Sequence, residues 1–398
     1  MTKRVLSGCL ILAIVAMMTF SPVSASEEKT DNTSGRIVWE ELEKRIRTGN
    51  LNSLALDKNV GSIEVVDYDY LYNSLQKQLR EISSAQSFFA ETGNYEGLST
   101  LNQSVASMRS TYEDIKAGKL QRDSENAVKQ LRDAQNQVVT AGQMLYINIL
   151  DMEQSLIDGE RGIETLDRKL KELRLRCEFG QVSKTTVEEL EYTRANTVST
   201  LDTLRSTISS CKAQLQLLIG ETPTGEAEMG ELPVLSGNET EGIEVEADLI
   251  LAKEKNWNIN NAAITVEKAK EDVDAIKKEY INGDAKGYQM MALQRTAEAA
   301  ELTYRATVGD FEFSFREAFR QMRNAKQVLE NKNSAVEYQK KKLALSKKQY
   351  ELGRLSYFSY LDAQDDLKKA ESEAKSAERD VFTALNKYNN AVKYGIIG

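Results

Sequence analysis

The side chains able to do covalent or metal chemistry are few. The sequence contains no His, which excludes a Ser-His-Asp triad, a Cys-His pair and a His-ligated metal site. Its three Cys are Cys9, Cys177 and Cys211, and no Cys-x-x-Cys motif occurs. Carboxylates sit in adjacent pairs, Glu188/Glu189 and Asp365/Asp366. Neighbours on a helix point apart, so these pairs read as solvated face rather than as an acid–base couple. No Gly-rich phosphate loop and no calcium-loop pattern is present. The expectation is a protein that is not an enzyme and that has no cofactor and no metal site.

Composition points to the elements instead. Lys plus Arg number 52 against 61 Asp plus Glu, a formal charge of −9. An acidic chain lacks the electrostatic footprint of a nucleic-acid binder. Three Pro and 22 Gly in 398 residues, with Gln, Lys, Glu, Ala and Leu abundant, predict long uninterrupted helices. Lys3 and Arg4, an apolar stretch from Val5 to Phe20 and a small-residue site ending at Ala25 read as an export signal over 1–25, with mature residues from Ser26. The stretch is short for a membrane span, which needs about 20 residues. The box Leu6-Ser7-Gly8-Cys9 is discounted as a lipoprotein site because the apolar run follows Cys9. No other window could span a bilayer as a helix. The chain is therefore expected in the cell envelope.

Residues 26–36 read as polar and disordered. Helical pattern fills 26–220 from about Ile37, stops over a Pro/Gly-rich linker at 221–241, and resumes over 242–398. Breaks are expected at Gly93–Gly97, near Gly118 and at Ile281–Gly287.

The chain is internally duplicated. Residues 177–190 (CEFGQVSKTTVEEL) match 350–363 (YELGRLSYFSYLDA), with Gly180 on Gly353 and Ser183 on Ser356 at an offset of 173. Gly closing one helix and Ser capping the next predicts the turn of a helical hairpin in each copy. Around the first turn, Ile163, Leu166, Leu170, Leu173 and Cys177 are spaced three and four apart. Val187, Leu190, Arg194, Thr197, Leu201, Leu204, Ile208, Cys211, Leu215 and Leu218 continue that spacing. Facing pairs keep register: Leu173 with Leu190, Leu170 with Arg194, Leu166 with Thr197, Ile163 with Leu201. The second copy repeats the seam at the same offset, richer in Ala. Cys211 lies 24 residues beyond position 187, which faces Cys177, or about 36 Å along a helix, so the two cannot bridge. Asn50-Leu51-Asn52 and Asn256-Trp257-Asn258 mark a weaker match at the start of each half, with Trp39 and Trp257 packing nearby.

A Tyr-x-x-Gly turn followed by Leu-Asp-Ala, duplicated between coiled-coil helices behind a signal, resembles the TolC-like outer-membrane efflux family. Tyr350-Glu351-Leu352-Gly353 and Tyr360-Leu361-Asp362-Ala363 carry the match; Cys177 and Glu189-Leu190 make the first copy looser. The resemblance implies an all-α protomer of two repeats, a homotrimer forming a twelve-helix tube, and solutes in transit. It further implies that an adaptor protein, docked on an inner-membrane pump, meets the turns at Gly180, Gln181, Val182 and Ser183 and at Gly353, Arg354, Leu355 and Ser356. Exposed Leu355, Tyr357 and Phe358 would suit such docking, with Tyr360 on the seam.

Relatives with an outer-membrane barrel insert a strand pair between the long helices of each half. Here the second-half position, Ile281–Gly287, is seven residues, against about 9–11 for one spanning strand. The first half has 33 further residues, around Phe88–Leu120, without sustained alternation. The one alternating stripe, Phe311-Glu312-Phe313-Ser314-Phe315, reads as helix core. The expectation is a barrel-less exit duct; the other reading is a coiled-coil scaffold of the envelope with no lumen.

Overall fold

The computed structural model describes residues 36–92, 95–235, 242–283 and 286–397. The signal peptide and the polar stretch before Arg36 lie outside them. Among the described residues there are ten helices: α1 (Trp39–Gly49), α2 (Leu51–Glu64), α3 (Tyr68–Glu91), α4 (Tyr95–Lys116), α5 (Lys119–Glu178), α6 (Lys184–Leu218), α7 (Val245–Lys255), α8 (Trp257–Ile281), α9 (Gly287–Glu351) and α10 (Tyr357–Tyr394). No strand occurs among them, only an isolated parallel bridge between Ile37 and Met229. The fold is all-α. The Phe311–Phe315 stripe is helical: Phe311 and Phe315 are buried and Phe313 is exposed, as a 3.6-residue period requires. No described helix is long and apolar enough to cross a membrane.

The contacts group the chain into two units. The smaller, Lys58–Lys129, holds the α3–α4 pair. Tyr72 stacks on Tyr112 at 4.7 Å and their hydroxyls hydrogen-bond at 2.7 Å. Gln86 donates to Asn102 at 2.6 Å. Asp67 caps α3 by accepting from the Tyr70 amide, and no residue of α3 is buried. In the first half, then, helices stand where the resemblance would place strands.

The larger unit comprises the described residues of Ser34–Asp57 and Gln130–Gly398. It has one apolar core per half. The first gathers Leu42 and Ile46 of α1, Val139, Tyr146 and Ile149 of α5, and Leu215 of α6. The second gathers Leu249 and Ala252 of α7, Phe311, Phe315 and Met322 of α9, and Leu385, Tyr388 and Ala391 of α10. Each half thus uses one short helix to cover the outer ends of one hairpin. The packing is tight at Gly142, where an added Cβ would lie 2.3 Å from Ile46 Cδ1.

The two Asn motifs are matched structural joints. Asn50 ends α1 in extended backbone and its side chain accepts from the Ser53 amide at 2.9 Å. Asn256 joins α7 to α8 in the same conformation and accepts from the Ile259 amide at 2.8 Å. Both are buried. A left-handed glycine packs against each joint: Gly220 on Gly49, and Gly395 on Asn256, whose amide donates to the Gly395 carbonyl at 2.8 Å. Trp39 packs edge-on against Tyr146 and Phe382, at 5.6 and 4.8 Å.

The described part of the Pro/Gly segment is pinned down rather than loose. Ile37 donates to Glu228 and accepts from Gly230, at 2.8 and 2.7 Å. The buried Tyr146 hydroxyl donates to the Gly230 carbonyl at 2.8 Å, and burial raises its pKa to about 12.

Candidate functional site: the paired hairpin turns

The two turns are nearly the same object. Gly180 and Gly353 have φ of +69° and +68°, a conformation that only Gly enters freely. Gly180 N–H donates to the Cys177 carbonyl at 2.9 Å and Gln181 N–H to the Arg176 carbonyl at 2.8 Å. Gly353 and Arg354 repeat this on Tyr350 and Gln349 with the same two distances. This is the Schellman pattern of a helix C-terminus. Ser183 and Ser356 then cap α6 and α10, each Oγ accepting from the amide three residues on at 3.1 Å. An added Cβ at Gly180 or Gly353 would meet nothing within 4 Å, so backbone conformation alone demands glycine there.

The seam holds each pair of helices together. Leu170, Val187, Leu201, Ile208 and Leu215 are buried around the first hairpin; Val336, Ala363, Ala370, Ala377 and Val381 around the second. Leu201 seats against Gly159, where a Cβ would come within 2.3 Å of Leu201 Cδ2. The polar exception Arg194 is answered by Asp167 on α5, whose carboxyl its hydrogen bond holds below the ordinary value. Cys177 and Cys211 are free thiols, each half-buried.

Contacts between the hairpins bring both turns to one end of this unit. Thr165 and Arg168 precede Gly180 on α5, and both bond to Asp365, just beyond Gly353 on α10. Further from the turns, Asp158 accepts from Ser372 and Asp151 pairs with Arg379. The pair Asp365/Asp366 does point apart, but neither carboxylate is simply solvated. Asp365 ties α10 to α5, whereas Asp366 ties α10 to α9 through Lys342, at 2.7 Å.

At this end Gly180, Gln181, Ser183, Gly353, Arg354 and Ser356 are exposed, while Val182 and Leu355 are half-buried. Tyr357 and Phe358 are exposed beside them. Tyr360 stacks on Tyr350 at 5.3 Å, a seam contact. Sequence reasoning passed over two residues: Phe179 and Leu352, immediately before the glycines, are 71% and 69% exposed. Their signal was available, since both are apolar at equivalent positions of the duplication. Among the described residues no cluster of three or more His, Cys, Asp or Glu could hold a metal ion.

No protein-family model matches the sequence, and no curated protein matches it. Solved structures do. The outer-membrane channel OprN is similar with a TM-score of 0.58 at 12% identity, over 89% of each chain. CusC, whose structures concern folding and transmembrane channel formation, gives 0.51 at 12% identity over 89% of this chain and 95% of its own. The CmeC outer membrane channel of Campylobacter jejuni gives 0.50 at 11% identity, over 73% and 68%. The fold of this chain is TolC-like.

Proposed function

On the premise of that fold, we propose that the chain is an exit-duct component of an efflux or secretion system in the cell envelope. Copies of it, three in this reading, close into a helical tube through which small molecules or peptides pass. The two repeats, 26–220 and 242–398 joined by 221–241, supply two hairpins per copy. The turns at Gly180–Ser183 and Gly353–Ser356 dock the hairpin tips of an adaptor protein linked to an inner-membrane pump.

The observation that carries the reading is the pair of equivalent glycine turns at one end of the larger unit, on a fold shared with outer-membrane channels. Rigid capped turns suit docking because they present side chains without paying further ordering entropy. Exposed Phe179, Leu352, Tyr357 and Phe358 beside Arg354 supply apolar anchors with a charge at the rim. The proposal involves no chemistry on the solute.

Electron microscopy of the purified full chain tests it. End-on rings with a central hole are the expected result. Monomers, or two-stranded rods without a lumen, would instead assign the chain to the envelope scaffolds.

A further inference from the structure

At the end of the larger unit away from the turns, a groove of about 860 Å³ runs between the two halves, a volume in the range of small-molecule sites. One face of α5 supplies Asp133, Gln137, Thr140 and Met144, at helical spacing. One face of α9 supplies Thr303, Thr307, Asp310 and Ser314. Helix α8 adds Asn258, Asn261 and Thr265, and the chain after α10 adds Ile396 and Ile397.

The wall is one-sided in its chemistry. Asp133 and Asp310 are its only ionisable residues, and no Lys or Arg lines it. Neither carboxylate has an ion-pair partner among the described residues. Burial raises the Asp133 pKa, and the bond it accepts from Gln137 at 2.7 Å offsets only part of that. The threonines add to the imbalance. Thr140, Thr265, Thr303 and Thr307 each donate to the carbonyl four residues back, at 3.0, 2.8, 2.9 and 2.9 Å. A hydroxyl has one proton, so these four offer the groove only lone pairs. Met144, Phe311, Ile396 and Ile397 contribute apolar surface.

Unneutralised carboxylates, spare acceptors and apolar surface together match a cation that is rich in donors and carries hydrocarbon. An inorganic divalent ion fits less well. Calcium takes six to eight oxygen ligands, whereas these two carboxylates stand on separate helices and no cluster of three acidic groups occurs among the described residues. An anionic ligand would meet like charge. We infer that the groove is a binding site for a linear organic diammonium or polyammonium ion, one ammonium on Asp133, another on Asp310, and the methylenes on Met144 and Phe311. Charge-assisted hydrogen bonds to both carboxylates supply the recognition. The site belongs to the single chain and does not depend on the duct reading.

Equilibrium dialysis of the purified full chain against α,ω-diaminoalkanes of increasing length, spermidine and n-butylamine is the test, at about 0.1 M salt to screen diffuse attraction. One diamine length should bind best, because only one spans the two carboxylates, and n-butylamine should bind about tenfold or more weakly than it. Asp133→Asn and Asp310→Asn should each weaken the best diamine about tenfold, and together about a hundredfold. Thr303→Val, which removes an acceptor and keeps the shape, should cost about threefold. Glu188→Gln with Glu189→Gln removes equal charge outside the groove and should leave binding within about twofold. Far-UV circular dichroism checks that each variant is folded; if Asp133→Asn is not, the exposed Asp310→Asn carries the comparison. Affinity that does not depend on diamine length overturns the inference. So does an equal loss in the Glu188/Glu189 variant, which would mean amines screening an acidic surface, and so does a wild-type chain that binds no amine. None of these results bears on the duct, since binding is read on the chain whatever its state of assembly.

Discussion

Glu43 lies where the start of one half grips the end of the other. Its carboxylate accepts from Lys393 Nζ at 2.9 Å, from the Tyr394 hydroxyl at 2.5 Å and from Arg47 Nε at 3.0 Å. Arg47 also donates to Asn136 on α5 at 2.7 Å, so one cluster ties α1, α5 and the end of α10 together. Burial pushes the Glu43 pKa up, but the hydrogen bonds from Lys393, Tyr394 and Arg47 outweigh it and hold the group at about 2, against an ordinary 4.5. A carboxyl depressed in the folded state stabilises the protein above its unfolded pKa and loses that stabilisation as pH falls towards the folded value. The full shift corresponds to about 3 kcal/mol. The side chain is 31% exposed, so solvent screening brings a realistic figure to about 1–2 kcal/mol. Glu43→Gln should therefore unfold in urea with a stability deficit of that size at pH 7, and the deficit should shrink steadily from about pH 4.5 until it is mostly gone near pH 2. The assay is helicity against denaturant for both chains at several pH values and one protein concentration. A glutamine variant as stable as wild type at pH 7, or a deficit that persists undiminished at pH 2, would refute the argument.

Three further outcomes follow from the same geometry. Gly180→Ala and Gly353→Ala should each cost about 1 kcal/mol through the left-handed backbone alone, with no steric penalty, and a double variant in thermal melts should show the two losses adding. Asn256→Ala removes a buried cap and the bond to the Gly395 carbonyl; a loss of about 2 kcal/mol is expected in denaturant titrations, against a few tenths for the exposed Asn196→Ala. Arg354→Glu, at the exposed second turn, should weaken co-purification with an adaptor while leaving circular dichroism unchanged; undiminished capture would remove Arg354 from the docking surface.

What sequence alone determined is whatever depends on neighbours within a few turns. The glycine and serine of each turn, the three-four spacing of the seam, and the helical nature of the Phe311–Phe315 stripe all follow from backbone conformation and helical period. The separation of Cys177 from Cys211 follows from the rise of a helix. Tertiary structure alone decided the contacts made across long stretches of chain. Asp365 and Asp366 look alike in sequence, yet one reaches back 197 residues to Arg168 and the other 24 to Lys342. Nothing local distinguishes them, because the choice depends on which helix stands on each side of α10. The same holds for the Pro/Gly segment: its composition says that no helix continues, but only Tyr146 and Ile37, brought in from elsewhere, say where the backbone is held. Periodicity sets which face of a helix is apolar, whereas the partner that covers that face is chosen by the whole fold.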